Sequence, residues 1–182
     1  MKQTAPFRSP FLRTVSLAFA AICLSASVCS GETRPNILLL LADNWAWPHA
    51  SACGDKSVST PTFDRIAKNG VHFRSTFCQV PSCSAARAVL LTGQAMHRLG
   101  EAANLWGRFP AQLKAYPQIL EKNGYTTGYT IKGWGPGFYK GKKNSSTNPA
   151  GKKYESFAAF LKKAPAEKPF CFWFGSHDPH QP

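Results

Sequence analysis

The run Pro35-Asn-Ile-Leu-Leu-Leu-Leu-Ala-Asp43 is apolar from Ile37 to Ala42 and stops on a carboxylate. A short continuous apolar segment of this kind reads as a β-strand buried on both faces. Downstream, Thr60-Pro61 supplies a helix cap and an N1 proline, Phe63, Ile66 and Ala67 mark one helical face, and Asn69-Gly70 closes the helix. Val71 to Cys78 is rich in strand-forming residues, and a helix is expected from Ala85 to Leu91, stopped by Thr92-Gly93. A further helix is expected at Pro117 to Lys122 and a strand at Tyr125 to Ile131. Tyr154, Phe157, Phe160 and Leu161 form a helical stripe, and Phe170-Cys-Phe-Trp-Phe gives a last strand. Strands alternating with helices predict an α/β fold, a mostly parallel sheet flanked by helices. The Gly- and Lys-rich stretch 133–151 is long for a plain connection, which points to function or disorder.

The 182 residues carry 22 Lys plus Arg against 9 Asp plus Glu, a formal charge of +13, with 43% apolar residues, which excludes a disordered or low-complexity chain. Lys2, Arg8 and Arg13 precede a small, apolar segment from Val15 to Val28, with Val28 and Ser30 before a cut near Gly31. This pattern predicts a secretory signal over residues 1–30, too short and Ser-rich for a stable membrane span, and hence export to the periplasm or medium. Residues 31–182 then keep nineteen basic side chains, many of them late: Lys140, Lys142, Lys143, Lys152, Lys153, Lys162, Lys163 and Lys168. Such a cluster either attracts anionic polymers or is a solvated face, and no nucleic-acid motif accompanies it. Cys53, Cys78, Cys83 and Cys171 remain after the cut. Export permits disulfides, but if one of the four does chemistry at least one other stays unpaired.

In parallel α/β sheets ligands gather beyond the carboxyl ends of the strands. The residues at those positions are Asp43-Asn44, the segment Pro81-Ser-Cys-Ser-Ala-Ala-Arg87, Lys132, and His177-Asp-Pro-His180. Asp43-Asn44 is either an Asx turn or a pair of oxygen ligands for a hard cation. Cys83 adjoins a helix N-terminus, where the dipole favours an anion, and Arg87 lies one turn on; the alternative is a buried or disulfide-bonded Cys. Lys132 ends a strand and opens a glycine loop, and His177 and His180 are either loop histidines or site residues.

In order and residue type the set resembles the sulfatase family. The matching stretches are Arg34 to Asp43, Thr60-Pro-Thr-Phe-Asp64, Pro81-Ser-Cys-Ser-Ala-Ala-Arg-Ala-Val-Leu-Leu-Thr-Gly93 and His177-Asp-Pro-His180, and the last is most similar to the heparan N-sulfatase branch. The resemblance implies an alkaline phosphatase-like α/β fold and hydrolysis of a sulfate ester or sulfamate on a carbohydrate, as in glycosaminoglycan degradation. It implies that Cys83 is oxidised by a formylglycine-generating maturation enzyme, giving an aldehyde whose hydrate attacks sulfur with help from a divalent metal, Ca2+ or Mg2+. Asp43, Asn44 and the residue at Cys83 are then metal ligands, and Arg87 steadies the modified residue. Lys132 binds sulfate, His177 serves the leaving oxygen as donor or acid, and His180 binds substrate or fixes its loop.

Three positions depart from the family pattern: Asn44 stands where a second Asp is usual, Ala85 where the modification motif has Pro, and Trp134 where a His is common. Family members are several times longer, with further metal ligands in their second half, so residues 31–182 are expected to be the N-terminal part of a catalytic domain. A phosphodiester or phosphonate hydrolase of the same superfamily, and an inactive fragment binding anionic glycans, are the competing expectations.

Overall fold

The computed structural model describes residues 34–139 and 148–180. The expected signal segment 1–30, and Lys140, Lys142 and Lys143 of the basic cluster, lie outside the described residues. Three parallel strands form the sheet: β1 (Ile37–Leu41), β2 (Thr126–Ile131) and β3 (Phe170–Gly175), in the order β1-β3-β2. The register aligns Leu39 and Tyr129 with Trp173, and Leu38 and Gly128 with Phe172, so each triple shares one face.

Among the described residues the α-helices are α1 (Pro61–Asn69), α2 (Cys83–Thr92), α3 (Tyr116–Lys122) and α4 (Phe157–Leu161). On the Trp173 face, Ala88 and Leu91 of α2 join Leu99, Ala102, Phe109, Tyr129, Trp134 and Trp173 in one buried cluster, with Leu39 and Leu41 of β1 against it. Tyr116, at the start of α3, meets Cys171 of the same face. The opposite face is aromatic: Phe160 of α4 stands 4.7 Å from Phe172 and 5.1 Å from Tyr154, ring centre to ring centre. Gly128 is required there, because a Cβ would come within 2.7 Å of the Tyr154 ring. The Ser156 hydroxyl caps α4 by accepting from Ala159 N–H at 3.0 Å, so this helix begins at Phe157 and leaves Tyr154 outside it.

Two expectations fail for want of packing partners. β1 is not buried on both faces: Leu38 and Leu40 are 46% and 55% exposed, since the helices packed on the sheet lie over β2 and only Leu39 and Leu41 meet the core. Residues 71–78 form no strand, and Val71, Phe73 and Phe77 are exposed; strand propensity without a neighbouring strand to pair with does not make a ladder. The segment Thr60–Asp64 is a structural tie. The Thr60 hydroxyl donates to Asp64 Oδ1 at 2.9 Å, and both residues hold the 3-10 turn Ser51–Cys53 through the N–H groups of Ser51 and Ala52. All four cysteines named from the sequence are free thiols, so the disulfides that export would permit do not form among the described residues.

Candidate active site

The strand ends are laced together by backbone hydrogen bonds. Lys132 N–H donates to the Gly175 carbonyl at 3.0 Å, Ser176 N–H to Leu41 at 2.9 Å, and Asp43 N–H to Asp178 at 3.0 Å. Gly175 allows this closeness, since a Cβ there would lie 1.9 Å from the Lys132 carbonyl oxygen. The segments following β1, β2 and β3 thus meet at one end of the sheet, and the start of α2 adds Cys83 to them. That helix begins at Cys83 itself, two residues before the expected start, so the thiol sits in its first turn.

Asp43 is the centre of the cluster. Its carboxylate is 5% exposed, with Oδ1 accepting from Arg87 Nη2 at 3.3 Å and Oδ2 accepting from the Lys132 ammonium. Burial pushes the Asp43 carboxyl up, but the Lys132 hydrogen bond and the charges of Arg87 and Lys132 outweigh it and hold the pKa below its ordinary value. Asp43 is therefore ionised at neutral pH. Arg87 is buried as well, and its Nη1 donates to the carbonyls of Lys132 and Gly133 at 2.9 Å each, while its guanidinium lies 5.6 Å from the Trp173 ring centre. One residue thus ties α2 to β1, β2 and β3. A buried guanidinium and a partly buried ammonium against one carboxylate, at the N-terminus of a ten-residue helix, leave an excess of positive potential suited to an anion.

Cys83 Sγ, an Asp43 carboxylate oxygen and a ring nitrogen of His180 lie within 4.8 Å of one another. An ionised buried carboxylate with two further donors in reach fits a divalent cation. His180 N–H donates to the His177 carbonyl at 2.9 Å, closing a tight turn in which the His180 ring reaches Asp43 and Cys83 while His177 is exposed and outside that group. Asn44 follows Asp43 with φ 61, a left-handed conformation that Asn tolerates, and is exposed. Of the residues singled out from the sequence, Asp43, Cys83, Arg87, Lys132 and His180 converge; Asn44 and His177 adjoin them along the chain.

Two further residues brace the site: Asn148, which carried no sequence signal of its own, and Ser84, which the sequence marked only as part of the Cys83 motif. Asn148 accepts from Trp134 N–H at 3.0 Å and donates to the Trp134 carbonyl at 2.8 Å, pinning the loop after Lys132. Ser84, buried beside Cys83, donates its hydroxyl to the Pro136 carbonyl. Trp134, standing where the family pattern has a His, is buried and gives its indole N–H to the Ser84 carbonyl at 3.0 Å. It braces the first turn of α2 and has no proton to exchange at neutral pH.

Residues 35–182 match the family model described as Sulfatase. Human N-sulphoglucosamine sulphohydrolase is 29% identical over 179 residues, covering 90% of this chain and 35% of that protein. Rat N-acetylgalactosamine-6-sulfatase is 38% identical over 131 residues, covering 65% of this chain and 25% of that one. Among solved structures, a Pseudoalteromonas sulfatase superposes with a TM-score of 0.59 at 17% identity, over 97% of this chain and 50% of that chain, which is a likeness of fold. The chain thus spans about a third or less of the length of these two curated relatives. With the family model running from the first strand to the last residue, over the same strand ends that assemble the cluster around Asp43, the chain belongs to the sulfatase family.

Proposed function

We propose that this pocket hydrolyses a sulfate ester or sulfamate carried by a sulfated carbohydrate, after Cys83 has been converted to formylglycine. One observation carries the reading: the Cys83 sulfur lies within 4.8 Å of a buried carboxylate that holds Arg87 and Lys132 against it. The two curated relatives named above are, by their names, sulfohydrolases of amino sugars, which supports a glycosaminoglycan-like substrate.

Sulfatases generally use a formylglycine and a divalent metal, which together supply an oxygen nucleophile that is easily deprotonated at neutral pH. In our reading Asp43, Asn44 and the converted residue 83 hold that metal, with oxygen donors suited to Ca2+. Lys132 exchanges its partner, Asp43, for a sulfate oxygen as substrate enters. It then meets the charge that grows on the peripheral oxygens. Arg87 does not leave the protein interior; its two carbonyl bonds fix Lys132 and Gly133, so it positions the cation that binds sulfate. His177, exposed at the mouth, donates a proton to the leaving oxygen or nitrogen, and His180 faces the sugar or holds the loop. Residues 1–30 direct export to the periplasm or medium, and a maturation enzyme converts Cys83.

Sulfate release from sulfated sugars by the full-length gene product tests this reading. Cys83→Ala should abolish turnover, and Lys132→Ala should lower kcat/KM by roughly 10²–10³-fold. The peptide spanning Cys83 from the native host should show the mass of the aldehyde. A strong preference for phosphate diesters, or an unaltered thiol in fully active protein, would overturn it.

A further inference from the structure

Position 83 has a second chemistry while it remains a cysteine. A thiolate, an imidazole and a carboxylate form the donor set of a zinc site, whereas a hard cation such as Ca2+ takes six to eight oxygens. Cys83, His180 and Asp43 offer that set, with their donor atoms within 4.8 Å of one another. In a tetrahedral shell with bonds of about 2.0–2.3 Å, neighbouring donors stand roughly 3.3–3.6 Å apart. Closing the gap asks for at most about 1.2–1.5 Å of movement, which rotation of the exposed His180 side chain on its fixed turn can supply.

Arg87 and Lys132 each bond one oxygen of the Asp43 carboxylate and so fix its orientation, the supporting role that hydrogen-bonded neighbours play for metal ligands. The Asp43 N–H bond to Asp178 and the His180 N–H bond to His177 fix the histidine turn against the strand end that carries Asp43. Asn44 brings no second charge that would bias the site towards a hard oxygen-only ion, and Ala85 replaces the Pro of the modification motif.

We propose that the unconverted chain binds one Zn2+ through Cys83 Sγ, a His180 ring nitrogen and an Asp43 carboxylate oxygen. The Cys83 thiol gives up its proton on binding, and the fourth tetrahedral position is open to water. Conversion of Cys83 to formylglycine removes the sulfur ligand, so position 83 selects the metal: thiophilic before conversion, oxygen-seeking after it. Binding by the cysteine form rests on the geometry alone; only the converted form depends on the sulfatase reading.

The test uses the full chain with Cys83 shown by mass to be unmodified. Zn2+ is titrated in competition with a chromophoric chelator, and Co2+ serves as the spectroscopic probe. One metal per chain is expected, with a near-ultraviolet sulfur-to-cobalt charge-transfer band. Cys83→Ser should remove the band, and both Cys83→Ser and His180→Ala should weaken Zn2+ binding by at least about tenfold. Cys53→Ser and Cys78→Ser should leave both readouts unchanged, and circular dichroism confirms that each variant is folded. Absence of stoichiometric binding, a band that survives Cys83→Ser, or a band lost with Cys53→Ser or Cys78→Ser would overturn the inference. Sulfate release by the matured enzyme is a separate readout, so failure of the zinc site and failure of the sulfatase reading are told apart.

Discussion

β1 and β2 flank the same central strand, and each hands a charged residue to the pocket at its carboxyl end, Asp43 beyond Leu41 and Lys132 directly after Ile131. Their surroundings differ sharply. β2 includes three threonines and a glycine, yet residues 127–130 are buried, because α3 and α4 pack on it from its two faces. β1 is five aliphatic residues, yet it buries only the face that carries Leu39 and Leu41. The comparison teaches that burial is set by what packs on a strand, whereas the pocket is set by parallel register, which both strands share.

The largest effect should come from the residue that links the two strands. Arg87→Ala leaves a buried carboxylate without one of its cations and two carbonyls without donors, at a cost of about 3–5 kcal/mol read from the denaturant midpoint. A loss below about 1 kcal/mol would mean that the two strand ends hold their positions independently. Next, Gly128→Ala on the packed strand drives a methyl into Tyr154 and Phe160, with an expected cost of about 1–3 kcal/mol in the same assay.

A pH effect of similar or smaller size belongs to the packed side. Burial raises the Tyr116 phenol, with Cys171 beside it adding to the shift, and burial likewise raises the Cys171 thiol. Above an ordinary thiol pKa of about 8.5 the unfolded chain therefore binds fewer protons than the folded one. The stability from keeping these groups neutral is complete below that pH and is lost as pH rises through the folded values. Urea midpoints should fall between about pH 8 and pH 10, and Cys171→Ala should flatten that slope. The smallest effect is expected on the open face: Leu40→Thr, at a position 55% exposed, should change stability by no more than about 0.5 kcal/mol. A cost of about 2 kcal/mol in the full-length gene product would show that this face of β1 is covered there.

Much of this arrangement is legible in the sequence. The apolar runs ending at Asp43 and Lys132 mark two strand ends, and the Cys-Ser-Ala-Ala-Arg segment places Cys83 beside a helix start with Arg87 one turn on, the helix itself taking in Cys83 two residues earlier than expected. What sequence does not convey is partnership. Among the described residues, Val71 to Cys78 has the composition of a strand but no neighbour to pair with, and the apolar β1 has no helix over one of its faces. Asn148 lies in a Gly- and Lys-rich loop where nothing distinguishes it from an ordinary turn residue, and its role exists only because Trp134 comes back to it across fourteen residues. The family resemblance assigns His177 the leaving oxygen and His180 the lesser role, whereas His180 is the one whose ring nitrogen stands within 4.8 Å of Asp43 and Cys83, although both histidines are exposed.

The most direct measurement is sulfate release by the full-length gene product, matured in its native host, from sulfated amino sugars, with Cys83→Ala measured alongside. Turnover by the wild type and none by the variant is the result expected of a strand-end pocket built around Cys83 and Asp43. Equal sulfate release by the two proteins would contradict it.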